Sequence, residues 1–419
     1  LGYCNAGVVL DVGDGVQGFS VGDRVVSNGP HAEVVSVPQN LCARIPEGVG
    51  DDEAAFTVLA AVALQGGRLV APTLGEKVVV MGLGLVGLMT VQMLVANGCQ
   101  VLGTDFDAQR LAFARQFGAQ TVDLSTGEDP VAAGMAFSDG QGVDAVIIAA
   151  STTSSDPVHQ AAQMSRKRGR IVLVGVTGLE ISRADFYEKE LTFQVSCSYG
   201  PGRYDDDYER RGHDYPFGFV RWTEQRNFEA VLQLMADRQL DVTPLISKQV
   251  PLEEASGAYR LLSEDKSLLG VLFTYPETER VDLRHTVKMS PETMKITQAQ
   301  QPIVGVIGAG NFASLVLLPA LSKTAVRLKM IAGGNDTTAA VAARKFGAQE
   351  AASDYRSVLE DSDINTVFIA TPHNLHAQMV VEALHAGKHV FVEKPLALNR
   401  EELSRVREAQ AQAEGQHWM

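Results

Sequence analysis

Short apolar runs alternate with long helical stretches in two separate parts of the chain. In the first part the runs are Val78–Met81, Val101–Thr104, Ala145–Ala149 and Ile171–Val174. In the second they are Ile303–Ile307, Leu328–Ala332, Val367–Ala370 and His389–Val392. A continuous apolar run of this length marks a strand buried on both faces. Strand and helix in alternation predict a parallel sheet with helices on either side. The last helix is expected to start at Asn399, with Glu402 three residues on as a capping-box variant. Residues 1–50 have a different pattern. Short Val-rich stretches (Gly7–Leu10, Arg24–Val26, Ala32–Val37) lie between turns at Gly13-Asp14-Gly15 and Gly22-Asp23. They predict a small β domain with tight turns. The pattern turns β-like again in Leu245–Val250 and Val271–Tyr275, around a helical Leu252–Leu262, and this tail is expected to return to the first domain.

The expected organisation is therefore a partial β domain over 1–50 completed by 245–275, an α/β unit over 51–244, a polar linker over 276–301 and a second α/β unit over 302–419. At 419 residues the chain has room for two or three domains. Its 45% hydrophobic and 21% charged content is enough for more than one core. Asp plus Glu outnumber Lys plus Arg by 50 to 36, giving a net charge of −14, and no basic stripe breaks the surplus. Nucleic acid and anionic membrane are therefore excluded as expected partners. The apolar run Val78–Ala96 begins with three glycines after a strand pattern, which argues against a membrane span. Cys4, Cys42, Cys99 and Cys197 are far apart and form no C-x-x-C, as befits a reducing cytoplasm.

Two glycine-rich turns carry the chemistry. Val78–Met81 runs into Gly82-Leu83-Gly84-Leu85-Val86-Gly87, a helical segment follows, and the next strand ends at Asp105. Gly82 permits a tight turn. Gly84 lets a pyrophosphate approach the backbone, and Gly87 lets helix and strand pack closely. The N–H groups and dipole of the helix N-terminus attract phosphate, with Leu85 and Val86 in its first turn. Asp105 can accept both ribose hydroxyls, which favours NAD over NADP at this site. The second unit repeats the turn as Gly308-Ala309-Gly310-Asn311-Phe312-Ala313. Gly333 stands where the acid is expected, so a 2′-phosphate is not repelled and NADP or dual use is open.

With these residues in view, residues 1–275 resemble a medium-chain dehydrogenase of the zinc-binding alcohol dehydrogenase superfamily. Gly2-Tyr3-Cys4-Asn5-Ala6-Gly7-Val8-Val9 is similar to its Gly-His-Glu-x-x-Gly-x-Val stretch, and Val21-Gly22-Asp23-Arg24-Val25 to its V-G-D-R-V. Residues 302–419 resemble the nucleotide domain of the Gfo/Idh/MocA oxidoreductases, through Thr371-Pro372-His373-Asn374-Leu375-His376 and His389-Val390-Phe391-Val392-Glu393-Lys394-Pro395. The resemblance implies an α/β chain with two Rossmann doubly wound parallel-sheet domains, the first with a partial GroES-like catalytic β domain. It also implies a fragment, because Leu1 falls inside the first family's catalytic domain and Met419 precedes the second family's substrate-binding sheet.

For function, the resemblance implies an NAD(P)-dependent oxidoreductase that moves hydride to or from a carbon bearing a hydroxyl or carbonyl, plausibly on a sugar or sugar derivative. The alternatives are a dinucleotide sensor, or a chain in which only the first module works. Lys394 takes a catalytic role beside the nicotinamide by this resemblance, with Thr371, Pro372, Glu393 and Pro395 lining the cofactor. His376, at a helix start beside it, is a second catalytic candidate. In the first module the family's His-Glu pair is replaced by Tyr3-Cys4, and its later glutamate aligns with Val58. No metal is therefore expected, and Tyr3 is the candidate proton donor. A small-molecule substrate is the expected partner, and the resemblance adds a homodimer.

Overall fold

The computed structural model describes residues 2–265, 267–275, 286–289, 302–334 and 336–413. The chain forms two compact units, Leu1–Thr278 and Glu279–Met419.

In the first unit six parallel strands form one sheet. Their order is Gln120–Asp123, Gln100–Asp105, Lys77–Met81, Val143–Ile148, Ser165–Leu173 and Thr192–Val195. Successive side chains of a strand point to opposite faces. Val78 and Val80 accordingly join one core and Val79 and Met81 another. Leu85–Ala96 is apolar apart from Thr90 and Gln92, and Gly87–Leu94 are all buried, as a helix enclosed over that stretch requires. The order of strands reverses beside Lys77–Met81, which is where open α/β sheets leave a crevice at the carboxyl ends of their strands.

Asn5–Val8, Arg24–Ser27 and Cys42–Arg44 form a three-stranded antiparallel sheet. The expected strand Ala32–Val37 does not form and is a loop. Pro30 and Pro38 flank it, and neither can donate to a ladder. Ile246–Pro251 and Gly270–Thr274 pair with each other in a parallel two-stranded sheet. Leu245, Ile246, Leu269 and Leu272 nevertheless pack into the core that holds Val26, Leu41 and Ala43. His31 completes this contact, with its ring edge-on to Phe273 and Nδ1 3.1 Å from the Tyr259 hydroxyl.

The second unit is built on the sheet Thr286–Lys288, Glu350–Ala352, Arg327–Ala332, Ile303–Ile307, Thr366–Ile369 and His389–Val392. All neighbours are parallel except the edge pair Thr286–Lys288 with Glu350–Ala352. This corrects the reading of 276–301 as linker: its Thr286–Lys288 segment is an edge strand. Such a strand needs only backbone donors and acceptors on one side, so it leaves no apolar period in the sequence. The rest of that segment, 276–285 and 290–301, lies outside the described residues. Ala313–Leu317 winds as a π-helical turn just before Pro319, a ring that an α-helix interior would not accommodate. Asn399 caps the helix Arg400–Gln412, accepting from the Glu402 N–H at 2.9 Å while the Glu402 carboxylate accepts from Leu398 N–H at 2.7 Å.

Candidate functional site

The first glycine turn leaves the strand Lys77–Met81 at the centre of its sheet. Gly82 has φ +90°, and a Cβ there would lie 2.7 Å from the Ala150 backbone. A Cβ on Gly87 would lie 2.0 Å from the Gly82 carbonyl oxygen. These two glycines are required by the protein itself. Gly84 is different: a Cβ there would meet nothing within 4 Å. Its carbonyl accepts the first helical bond, from Leu88 N–H at 2.9 Å. The preceding N–H groups, on half-buried Leu85 and Val86 and on Gly87, have no intrahelical acceptor by construction. The result is a shallow, donor-rich space over Gly84, suited to a pyrophosphate.

Asp105 ends the neighbouring strand and is 8% exposed. Its Oδ2 accepts from Leu83 N–H at 2.6 Å and its Oδ1 from Asp107 N–H at 2.9 Å. The carboxylate thus ties the glycine turn to the next strand. Each oxygen keeps a further lone pair, so ribose hydroxyls can still be accepted.

The second turn has the same division of labour. Gly308 has φ +105°, and a Cβ there would lie 2.4 Å from the Ala370 carbonyl oxygen. Gly310 is open, with nothing within 4 Å of its built Cβ. Ala313 is fully buried where the last glycine stood in the first turn, while Asn311 and Phe312 are exposed. The adjoining strand ends at Ala332, and Gly333 donates its N–H to the Ala352 carbonyl at 3.1 Å. Gly333 offers no side chain to a ribose.

Two loops flank this second turn. Thr371 and Pro372 follow the strand Thr366–Ile369, and Glu393, Lys394 and Pro395 follow His389–Val392. Glu393 N–H donates to Ile369 carbonyl at 3.0 Å, and the Lys394–Pro395 peptide is cis. The Lys394 side chain is exposed. His376 corrects the sequence reading, for it is fully buried and cannot touch a substrate. Its Nδ1 lies 2.8 Å from the Pro395 carbonyl oxygen and its Nε2 2.8 Å from that of Thr371. It therefore pins the two loops together and acts as a positioning residue.

In the first unit a further loop, Ser198–Tyr204, leaves the edge strand of the sheet. Ser198, Gly200, Gly202 and Tyr204 all have positive φ. Left-handed backbone at non-glycine residues persists only where the surroundings hold it. Here Tyr199 is buried and its hydroxyl accepts from Asn28 Nδ2 at 3.1 Å, while Asn227 Nδ2 donates to the Tyr199 carbonyl at 2.8 Å. The Arg203 guanidinium pairs with Glu209 and lies 4.2 Å from the Tyr204 ring centroid. Tyr3 is 43% exposed. Burial and the neighbouring Cys4 push its phenol up, against the opposing charge of Arg203. Beneath the loop lies Glu224, fully buried, with neither carboxylate oxygen hydrogen-bonded. Burial, then Glu209, push it up to about 8. A Cβ on Gly202 would lie 2.8 Å from Glu224 Oε1, so the glycine lets the loop close on this carboxyl. Sequence reasoning missed Glu224, which stands in an ordinary helix start. The glycine pair above it was the available signal.

The comparisons with known proteins divide between the two units. Residues 86–210 match the model of the zinc-binding dehydrogenase family, and residues 303–419 that of the oxidoreductase family with an NAD-binding Rossmann fold. The chain thus carries a match to each of these two families in turn, consistent with a fusion. A levoglucosan dehydrogenase from Pseudarthrobacter phenanthrenivorans is 51% identical over 74 residues, 18% of this chain and 19% of that one. The chain therefore spans about a fifth of that relative's length. The (R,R)-butanediol dehydrogenase of Bacillus subtilis is 28% identical over 307 residues, 65% of this chain and 80% of that one. Among solved structures, the alcohol dehydrogenase of Thermus sp. ATN1 superposes with a TM-score of 0.56 at 24% identity, covering 66% of this chain and 84% of that one. This last likeness is one of fold.

Zinc needs three or four nitrogen, sulfur or oxygen ligands around one point. In the dehydrogenase module Val58 is buried in the apolar core, and burial pushes the Cys4 thiol up to about 11. Among the described residues no three His, Cys, Asp or Glu side chains converge on one point. The residues present do not fit a zinc ion, and no step is routed through one. The two glycine turns do fit a dinucleotide, because both middle glycines open onto free space beside a helix start. No helix among the described residues is long and apolar enough to cross a membrane.

Proposed function

We propose that the chain is an NAD(P)-dependent oxidoreductase with two hydride-transfer modules, acting on an alcohol or carbonyl carbon of a sugar or sugar derivative. One observation carries this reading. In both turns the first glycine is required by backbone contacts, whereas the middle glycine faces open space. A turn kept only for folding has no need of that second feature. The relatives named as dehydrogenases of levoglucosan and butanediol support a polyhydroxylated substrate.

A bound dinucleotide supplies or accepts the hydride. The chain's own residues then do the rest. Asp105 takes the ribose hydroxyls at the first site and favours NAD, whereas Gly333 leaves the second site open to NADP or to either. Leu85, Val86, Gly87, Asn311 and Phe312 edge the two phosphate spaces. Lys394 directs its ammonium to the substrate oxygen and holds or yields a proton there, on a loop fixed by His376. Thr371, Pro372, Glu393 and Pro395 shape that cofactor wall. Tyr3, kept protonated by its surroundings, is the proton donor of the first module, which works without zinc. The protein acts in the cytoplasm, where its unpaired cysteines stay reduced, and as a homodimer.

Calorimetric titration of the chain with NADH and, separately, NADPH tests the reading. Two sites, one preferring NADH and one accepting NADPH, are expected. Absence of binding by either nucleotide to the folded chain would overturn it.

A further inference from the structure

Trp222 stands just before the helix Glu224–Ala236 in the first unit. The Arg68 Cζ lies 3.3 Å from its ring centroid and the Arg221 Cζ 3.7 Å from it. Two groups that close to one centroid must occupy opposite faces. Stacking on an indole is favourable for one guanidinium, but the second brings a like charge into the same neighbourhood. Burial, and then Arg221, lower Arg68 to about 10.

The surroundings supply neither arginine with an ion-pair partner among the described residues. Arg24, Arg166, Arg170, Arg203 and Arg226 each reach a carboxylate. Arg68 and Arg221 form no ion pair among the described residues. Among the described residues the one polar contact of Arg68 is Nε donating to Asn227 Oδ1 at 2.9 Å. Asp214, the acid on the adjoining loop, is taken by Arg226. Glu229, on the helix, feels Arg226 and Arg221 but makes no ion pair with either, and burial pushes it up. In a chain with 50 acidic and 36 basic residues, two unpaired guanidinium groups on one ring are not a shortage of partners. The start of the 13-residue helix adds its positive dipole end to the same place.

We propose that Arg68 and Arg221, stacked on the two faces of Trp222, form a binding site for an oxyanion group of a small acidic ligand. Carboxylate, sulfate and phosphate share the required chemistry, because each presents two oxygens to a guanidinium fork. The ligand's oxyanion sits at the edge of the indole and takes N–H donors from both arginines. Half-buried Trp222 and exposed Arg221 leave that edge reachable from solvent. The site is independent of the glycine turns and of the oxidoreductase reading.

The test uses the full chain. It has two tryptophans, so Trp418→Phe leaves Trp222 as the sole indole reporter. Sodium sulfate, phosphate and acetate are titrated at constant ionic strength against chloride, and Trp222 emission is followed. A saturable change is expected, with half-saturation raised about tenfold or more in Arg221→Gln and in Arg68→Gln. Arg221→Lys should lose less. Arg221 is exposed, so its Gln variant should keep the parent's melting temperature in chloride and report on binding alone. A response that does not saturate, or one unchanged in both Gln variants, would mean an adventitious ion only and would overturn the site. A response that follows self-association in sedimentation would assign the arginines to a second copy of the chain, and would overturn the small-ligand proposal.

Discussion

The two glycine turns share one architecture and part company at the end of the neighbouring strand, where one has Asp105 and the other Gly333. In each, a strand at the middle of a parallel sheet ends in a glycine with positive φ, and a middle glycine stays open. In the first, Asp105 holds the turn by accepting from Leu83 N–H. In the second, Gly333 has no side chain, and the turn rests on backbone contacts and on loops pinned by His376. The comparison separates two duties that one acidic residue performs together. Asp105 braces the turn and, in the proposed function, also sets which ribose is accepted. Where the brace comes from elsewhere, the selectivity is free to change.

The largest effect should come from closing the open spaces. Gly84→Val should weaken dinucleotide binding at the first site by about a hundredfold or more and leave the second intact, and Gly310→Val should do the reverse. Calorimetry that counts sites would show one lost in each variant. Loss of both sites in either variant would break the assignment of one site per turn.

A smaller effect should follow from exchanging the distinguishing residue. Asp105→Ala should weaken NADH binding at the first site about tenfold and lower that unit's melting temperature, because Leu83 N–H loses its acceptor. Gly333→Asp should weaken NADPH at the second site about tenfold through charge repulsion while sparing NADH. If Gly333→Asp left the NADPH-to-NADH ratio unchanged, the acid position would not be what separates the two turns.

The braces themselves can be tested by stability. His376→Ala removes the ring that bridges the Pro395 and Thr371 carbonyl oxygens, and should cost the second unit about 1–3 kcal/mol by denaturant titration. Asp105→Ala should leave that unit unchanged. A His376→Ala cost near zero would remove the histidine from its positioning role.

The remaining effect concerns Glu224 and shows only as a dependence on pH. Burial raises this carboxyl from the ordinary 4.5 to about 8. Between these values the folded chain holds a proton that the unfolded chain has released, so this group's contribution to stability falls as pH rises through that window. Glu224→Gln should remove the fall. Its melting temperature relative to the parent should climb between about pH 5 and pH 8. A constant difference across that range would place the charge elsewhere.

Much of this was legible in the sequence, for definite reasons. The sheet strands are buried on both faces, so Val78–Met81 and Ile303–Ile307 are unbroken apolar runs that little else imitates. The glycine turns were legible because backbone contacts require Gly82, Gly87 and Gly308, and the middle glycines complete a recognisable spacing. Ala32–Val37 misled because its apolar content matches a strand while prolines on either side withhold donors. Thr286–Lys288 left no trace, since an edge strand of three residues is held through its backbone. His376 was visible as a motif residue, but its role depends on burial, which no local pattern encodes. Glu224 and the Arg68–Trp222–Arg221 stack join residues far apart in the chain.

The helix Leu85–Ala96 carries a last consequence. Its residues from Gly87 to Leu94 are shielded on every side, so its amides should exchange with deuterium only when the whole unit opens. The phosphate space at its first turn therefore sits on the slowest-opening part of the unit. A dinucleotide held there would be released by local motion of the flanking loops, while the surface beneath it stayed still. A chain caught while open would expose a greasy twelve-residue rod, the segment on which aggregation or chaperone capture would begin.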